Sequence, residues 1–278
     1  MSRKDAAMKK VTVSEGFYLY TFTDYNDKHT NSITILVRDL HNLHNLHNQP
    51  GQDKGQGKRA LIIDPSYPEF MEKVKIDLQS QGIEPEIIVL SHYHPDHVSG
   101  CAILPQCSIY VDEHYENNFQ NCHIWEPGYT YLRASHLIHG GDSLSFGDFK
   151  LRFHSAPGHS RCSIITEITN KIFHIGDLIM ICVNRKNSIP YIADGGSFKE
   201  HIKSLELIKK MDPDAIVVPH GGFIDNKKRI LDLVDDRIFY LEHVLNSQGE
   251  LPIEKCLKND VSWYENLEFH DTNLIQLF

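Results

Sequence analysis

Four side chains that bind divalent metal ions lie within six consecutive residues of this chain. They form the pattern His92-x-His94-x-Asp96-His97. Imidazole and carboxylate groups are the ligands that zinc and similar metals take in proteins. His92 and His94 can face the same way and hold one cation, while Asp96 and His97, one turn on, can face the same cleft and reach a second. The spacing therefore predicts a site for two metal ions.

Three further candidate ligands follow where strands are predicted to end. His159 lies in Ala156-Pro-Gly-His-Ser160, Asp177 ends His174-Ile-Gly-Asp177, and His220 lies in Val218-Pro-His-Gly-Gly222. Loops at the strand ends of α/β proteins project side chains into one crevice, so we expect these residues to meet the 92–97 segment. Two metal ions about 3.5–4 Å apart need more than four protein ligands, and these three are the candidates that complete the site.

Alternating strand and helix patterns predict the elements that position these residues. Aromatic and β-branched runs predict strands at 17–23, 32–38, 59–63, 86–90, 108–111, 149–154, 163–169, 171–175 and 214–218. Apolar residues at helical spacing predict a helix between Pro68 and Gly82, a second that opens at the capping box Ser197-Phe-Lys-Glu200, and a long third around 227–246. This alternation indicates an α/β fold.

Composition restricts the partners and the compartment. The 278 residues carry 28 Lys and Arg against 37 Asp and Glu, a net charge of −9, which weighs against a nucleic-acid partner bound through its phosphates. The six cysteines form no Cys-x-x-Cys pair, so we expect reduced thiols. Neither a signal peptide nor a run of about 18 apolar residues is apparent. We therefore expect a cytoplasmic protein with a small-molecule substrate and no membrane contact.

Residues 41–58 have a different composition from the rest of the chain. They begin with the repeat His41-Asn-Leu-His-Asn-Leu-His-Asn48 and continue with Gln and Gly residues as far as Lys58. The segment has no apolar periodicity that could contribute to a core. We interpret 41–58 as a low-complexity loop inserted between two strands.

The 92–97 motif, followed in order by the three later candidates, resembles the metal-binding pattern of the metallo-β-lactamase superfamily over roughly residues 17–222. The resemblance implies an αββα sandwich, in which two mixed sheets lie back to back with helices outside. It also implies a ligand for each position of a two-metal centre: His92, His94 and His159 for the first ion, Asp96, His97 and His220 for the second, and Asp177 as a bridge. Asp64, at the end of the third strand, matches an acidic position that usually hydrogen-bonds ligand histidines instead of touching metal.

The implied chemistry is hydrolysis. The ligand set suits two Zn²⁺ ions, with iron or manganese as alternatives. Two such ions hold a bridging hydroxide because bound water ionises near neutral pH, and the hydroxide attacks the carbonyl of a small ester, thioester or lactone. We expect Asp96 to be the catalytic residue that orients the hydroxide and then carries a proton to the leaving group.

Two alternatives stay open. Residues 225–278 are similar to the winged-helix-like tail of single-domain superfamily members, some of which are endoribonucleases, and this likeness would make the chain a phosphodiesterase. The same tail holds 11 acidic and 6 basic residues, the wrong balance for binding phosphates. The second alternative is a metal-binding or sensing protein without catalysis.

The chain is expected to divide near residue 224. Residues 1–224 would form the metallo-β-lactamase-fold domain, and residues 225–278 a C-terminal helical, winged-helix-like cap. The cap would pack on the sandwich, form part of the substrate wall, or make a homodimer contact through apolar residues such as Trp263 and Phe278.

Overall fold

The computed structural model describes residues 3–24, 28–40, 57–169, 171–193 and 195–277. Within these residues the strands form two large sheets and one small one. Most of the predicted loop at 41–58 lies outside the described residues. The strands on either side of it are present, although Lys58 is the first residue of a strand and does not belong to the loop.

The first sheet has seven described strands, which lie side by side in chain order. They are β1 (Met8–Ser14), β2 (Phe17–Asp24), β3 (His29–Asp39), β4 (Lys58–Ile63), β5 (Ile83–Val89), β6 (Ser108–Asp112) and β7 (His136–Ile138). The strands from β1 to β4 pair antiparallel, and those from β4 to β7 pair parallel. The parallel strands end at the same edge, where the 92–97 segment follows β5.

The second sheet has six strands among the described residues, in the order β14-β13-β11-β10-β9-β8. These strands are β8 (Ser143–Phe146), β9 (Phe149–Ser155), β10 (Ile164–Ile168), β11 (Ile172–His174), β13 (Ala215–Val218) and β14 (Gly222–Ile224). The small sheet consists of β12 (Asn187–Ser188) and β15 (Tyr264–Glu265). β11 and β13 are parallel neighbours, so the segments that carry Asp177 and His220 leave the sheet side by side.

Alternating side chains hold the two sheets together and bind the helices to their outer faces. Leu61 and Ile63 of β4 join Val217 of β13 in one apolar cluster between the sheets. Ile62 faces the other way, into a second cluster. β4 is therefore buried on both faces over Ala60–Ile63, because successive strand residues point to opposite sides.

The helices cover the two outer faces. They are α1 (Pro68–Ser80), α2 (Pro95–Val98), α3 (Glu116–Trp125), α4 (Phe198–Met211), α5 (Lys227–Asn246), α6 (Ile253–Cys256) and α7 (Phe269–Ile275). α1 buries an apolar stripe against the first sheet, and α4 and α5 do the same against the second. The Ser197 side chain caps α4 by accepting a hydrogen bond from the Glu200 backbone N–H. The αββα sandwich with a C-terminal helical extension is confirmed.

Several short strands were absent from the sequence-based prediction, as were two longer elements, β1 and α3. β1 is an edge strand with mostly exposed residues, so it lacks the alternation that would identify it. α3 buries only Asn118 and Cys122, and its apolar periodicity is correspondingly weak. No helix of the described chain is long and apolar enough to cross a membrane.

The C-terminal residues contact the second sheet and its loops. α5 packs in the same apolar cluster as α4, and β15 pairs with β12. The division of the chain near residue 224 stays a prediction, as does the homodimer. The Trp263 side chain is 63% exposed, and Phe278 lies outside the described residues.

Candidate metal centre

The seven candidate ligands meet where the ends of four strands converge. His92 and His94 follow β5, and Asp96 and His97 lie in the short helix α2. The remaining three follow strands of the second sheet: His159 after β9, Asp177 after β11 and His220 after β13. Each strand is fixed by the sandwich core, so the loops between them bring these side chains together.

Two glycines make this approach possible. At Gly158, a Cβ would lie 2.2 Å from the Cα of His201, so the turn before His159 has no space for a side chain. Gly176 has a φ of +53°, and a Cβ there would lie 3.1 Å from the hydroxyl of Ser91. A left-handed conformation at this position is easiest for glycine. The glycines noted beside His159 and Asp177 in the sequence therefore set the backbone that presents these two ligands.

Three imidazole nitrogens form the first cluster. The Nδ1 atom of His94 lies 3.0 Å from Nε2 of His92 and 3.0 Å from Nε2 of His159. His159 donates from Nδ1 to the carbonyl of Tyr191 at 2.8 Å. In the neutral ring this leaves Nε2 without a proton and available as a ligand.

The tautomer of His92 follows from a relay through Ser91. The Ser91 hydroxyl donates to Asp64 Oδ2 at 2.6 Å, so it can accept the Nδ1–H of His92, which lies 3.0 Å away. His92 Nε2 is then also unprotonated. Two unprotonated nitrogens thus lie 3.0 Å from His94 Nδ1, and the three ring nitrogens are close enough to bind one cation.

Two carboxylates and two imidazoles form the second cluster. Nε2 of His220 lies 3.0 Å from Asp96 Oδ2 and 3.3 Å from Asp177 Oδ2. Nε2 of His97 lies 3.3 Å from the same oxygen of Asp177. The Nδ1 atoms of both rings are already engaged, His97 with Asp64 at 2.9 Å and His220 with the Thr30 carbonyl at 3.2 Å.

Asp177 lies between the clusters. Its Oδ2 atom is 3.9 Å from Nε2 of His92 and 3.8 Å from Nε2 of His159, in addition to its two contacts in the second cluster. Its Oδ1 atom is buried and has no hydrogen-bond partner among the described residues. One carboxylate therefore faces ring nitrogens of both groups.

Charges differ between the two clusters when no metal is bound. Burial lowers the pKa of His92 and His159, and lowers that of His94 to about 3, so the first cluster is neutral. Burial also opposes the protonation of His220, but the facing Asp177 and Asp96 carboxylates outweigh it and raise its pKa to about 10. The same carboxylates raise the pKa of His97. Two protonated histidines thus balance two carboxylates in the second cluster.

Asp64 orients ligands of both clusters through hydrogen bonds. It is 1% exposed, and its oxygens accept from the Ser91 backbone N–H at 2.7 Å, the Ser91 hydroxyl at 2.6 Å and His97 Nδ1 at 2.9 Å. Burial opposes its ionisation, but the facing His97 outweighs this effect and lowers the pKa of Asp64. Its contacts orient His97 directly and His92 through Ser91.

The donor set fits a pair of borderline metal ions. The ligand atoms of His92, His94 and His159 lie within 4.8 Å of one another, and the four of the second cluster also do so. In the second cluster, the buried atoms His97 Nε2 and Asp177 Oδ1 have no hydrogen-bond partner within the described part of the chain. Imidazole nitrogen and carboxylate oxygen are the donors that zinc, iron or manganese accept.

A cavity of about 210 Å³ opens beside Asp96 and His220. Tyr67, Met180 and Tyr191 line it, together with Phe269 from the last helix. No pattern in the sequence pointed to Tyr67 or Phe269, nor to the backbone carbonyls of Thr30 and Tyr191 that orient ligand rings. A carbonyl is present at every position, so its role depends on the fold alone.

Comparisons with known proteins identify similar sequences and similar folds. The sequence profile of the metallo-beta-lactamase superfamily matches residues 55–220. A hydroxyacylglutathione hydrolase of Photorhabdus laumondii is 29% identical over 106 residues, which are 38% of this chain and 37% of that protein. One of Tolumonas auensis is 25% identical over 198 residues, 68% of each. The chain thus spans little more than a third of the first relative's length.

Two solved structures share the fold. A metallo-beta-lactamase family protein from Thermus thermophilus aligns with a TM-score of 0.62 at 16% identity and covers 85% of this chain and 84% of its own. A metallo-beta-lactamase from Pontibacter korlensis aligns with a TM-score of 0.62 at 13% identity and covers 83% of this chain and 100% of its own.

Proposed function

The chain belongs to the metallo-beta-lactamase superfamily, and from this premise we propose that it is a metal-dependent hydrolase with a dinuclear zinc centre. The observation that carries the proposal is the position of Asp177. Its Oδ2 atom lies within 4 Å of ring nitrogens from both clusters, at 3.3 Å from His97 and 3.8 Å from His159. A carboxylate placed in this way can bridge two cations.

Each cluster would hold one ion. His92, His94 and His159 would bind the first, Asp96, His97 and His220 the second, and Asp177 both. When bound, two zinc ions lower the pKa of a water molecule towards neutrality and stabilise negative charge on the substrate oxygen. The neutral rings of the first cluster are ready to bind a cation, whereas His97 and His220 must first release their protons.

Asp96 is the proposed proton carrier. Its side chain is 27% exposed, whereas Asp177 and His97 are 5% and 1% exposed, so Asp96 can reach a molecule in the cavity. Burial opposes its ionisation, but the facing His97 and His220 lower its pKa. It is therefore a carboxylate at neutral pH and can accept a proton and pass it to a leaving group.

The cavity supports a small ester, thioester or lactone as substrate. Apart from the candidate ligands, four lining residues are aromatic or apolar, which suits the acyl part of such a substrate, and four are polar or charged: Arg3, His29, Asn31 and Glu126. The charged side chains that the structure places in that lining, Arg3 and Glu126, lie 3.8 Å apart and offset each other. The relatives are named hydroxyacylglutathione hydrolases, which is consistent with an acyl substrate here.

A reducing compartment such as the cytoplasm is proposed from the thiols. All six cysteines are buried and free of disulfide bonds. Cys162, near His159, contacts the Ser160 hydroxyl through its Sγ atom at 3.5 Å and belongs to neither ligand cluster of the described residues, so it is no metal ligand in the proposal.

A substrate panel with zinc-loaded protein tests the function. Acyl thioesters, lactones and labelled single-stranded RNA are each assayed with and without EDTA. We expect turnover of a thioester or lactone that EDTA abolishes and that Asp96→Asn and Asp177→Asn abolish, with the exposed Asp148→Asn as an unaffected control. Cleavage of RNA alone would establish a phosphodiesterase instead. Full metal content with no turnover would favour a metal-binding or sensing protein.

A further inference from the structure

The loop at 189–193 accepts a hydrogen bond from the imidazole ring of His159, one of the candidate ligands. The carbonyl of Tyr191 accepts a hydrogen bond from His159 Nδ1 at 2.8 Å. This bond keeps the proton on Nδ1 and directs Nε2 towards His92 and His94. Residues 189–193 belong to no helix or strand, so something other than regular backbone pairing must fix the direction of this carbonyl.

Asn273, in the last helix, contacts the loop on both sides of Tyr191. Its Oδ1 atom accepts from the Ile192 backbone N–H at 2.8 Å, and its Nδ2 atom donates to the Pro190 carbonyl at 2.8 Å. The second Nδ2 proton goes to the hydroxyl of Tyr240 at 3.0 Å. Asn273 is fully buried, and its amide has a partner for both protons and for its oxygen.

The two backbone groups that Asn273 satisfies belong to the two peptide units on either side of Tyr191, and the Ile192 N–H shares its planar unit with the Tyr191 carbonyl. A rigid amide bound to the Pro190 carbonyl and to the Ile192 N–H fixes the orientation of both units. A second tie, from the Ala193 N–H to the His159 carbonyl at 2.9 Å, joins the backbones of the two loops. That tie leaves the imidazole ring free to rotate, so it cannot replace the contact between Tyr191 and His159 Nδ1.

We propose that Asn273 is a positioning residue for the first metal cluster and acts through the Tyr191 carbonyl on His159. The inference rests on the proposed metal centre. It gives the C-terminal extension a specific role, because the last helix completes the orientation of a ligand that lies more than one hundred residues earlier. Phe269 of the same helix contacts the Tyr191 ring, with ring centroids 4.9 Å apart, and so packs against the same loop.

The test compares Asn273→Leu with Tyr240→Phe. Leucine has the same branched heavy-atom skeleton as asparagine, with two larger methyl groups in place of the polar atoms, so it removes both contacts with the loop. Phenylalanine at 240 removes one hydrogen bond of Asn273 and leaves both loop contacts in place. Metal-free protein of each kind is titrated with Zn²⁺ and Co²⁺, and the two binding steps are measured separately.

We expect Asn273→Leu to weaken binding at the first cluster by about 10- to 100-fold, the usual effect of removing a group that orients a metal ligand. Binding at the second cluster should stay within twofold, and Tyr240→Phe should leave both steps within twofold. Equal affinities in Asn273→Leu and the wild-type protein would overturn the proposal. An equal loss at both clusters would also overturn it, because that would indicate general loosening of the fold.

Two measurements on the metal-free protein need no turnover. Nuclear magnetic resonance should detect the Nδ1 proton of His159 in slow exchange, and the Ile192 amide should exchange as slowly as strand amides. Asn273→Ser, a smaller change for use if the leucine variant does not fold, should speed up both exchanges. Rapid exchange of the Ile192 amide in the wild-type protein would contradict the proposal. A protein that binds no metal would refute the proposed function, while these exchange rates would still decide the role of Asn273.

Discussion

Replacing Asp64 by asparagine removes an acceptor that no asparagine orientation can restore. Asp64 uses Oδ1 to accept from the Ser91 backbone N–H and Oδ2 to accept from the Ser91 hydroxyl and His97 Nδ1. An amide has a single oxygen. With the oxygen at the Oδ2 position, the Ser91 N–H faces an NH₂ group. With the amide reversed, the Ser91 hydroxyl and His97 both lose their acceptor.

The expected loss of stability follows from the number of donors that lose their acceptor. At least one donor loses its acceptor in a site that is 1% exposed, which costs about 1–3 kcal/mol of folding free energy. The loss of negative charge opposite His97 also weakens the hydrogen bond that fixes its tautomer. We expect the second cluster to bind zinc about 10- to 100-fold more weakly, equivalent to about 1.4–2.8 kcal/mol. The first cluster should weaken less, because Asp64 reaches His92 only through Ser91.

The assay is a two-step zinc titration of metal-free protein, together with urea unfolding. Asp112→Asn is the matched control. Asp112 is 2% exposed, ends β6 and accepts from the His114 backbone N–H at 2.9 Å, with no contact to a candidate ligand. It should reduce stability and leave both zinc affinities unchanged. A folded Asp64→Asn protein with wild-type affinity at both clusters would refute the reasoning.

Three further predictions concern pH, a buried cation and a turn. In metal-free protein the pKa of His220 is raised to about 10, so its ion pairs stabilise the fold fully below the unfolded value of about 6.5. That stability is lost as pH rises towards 10; thermal unfolding in EDTA should show this decline, and a flat profile would contradict it. Arg237 is 1% exposed and donates to the Met180 carbonyl at 2.8 Å and to Asp236 at 3.1 Å, so Arg237→Ala should cost about 3–5 kcal/mol in urea unfolding. The exposed Arg161→Ala serves as its control, and equal stability of the two variants would be the contrary result. Gly158→Ala would place a Cβ 2.2 Å from His201 Cα and should reduce bound zinc below two ions per chain by elemental analysis, whereas Gly128→Ala, with nothing within 4 Å of its Cβ, should not; full zinc content in Gly158→Ala would count against the steric argument.

Side-chain type made the candidate ligands visible in the sequence. Histidine and aspartate at strand ends carry a chemical signal, and the structure brings all seven into two neighbouring clusters. Strands such as β4 and β13 were also predictable, because burial on both faces requires a continuous apolar run. The assignment of the seven His and Asp side chains as metal ligands stays a proposal.

Backbone groups, and side chains that reach the site from a distant part of the sequence, could not be identified from the sequence. The Tyr191 and Thr30 carbonyls orient His159 and His220, yet a carbonyl leaves no mark in the sequence. Asn273 looks like an ordinary polar residue of a C-terminal helix until the fold brings it to the 189–193 loop. The edge strand β1 was not predicted because most of its residues are exposed to solvent, so its sequence needs no alternation of apolar and polar residues.

Crystals of the zinc-loaded protein, measured at the zinc absorption edge, test the central claim most directly. The account predicts two anomalous peaks about 3.5–4 Å apart, one beside His92, His94 and His159, the other beside Asp96, His97 and His220. Asp177 should lie between them. A single peak, or peaks away from these side chains, would contradict the two-metal centre.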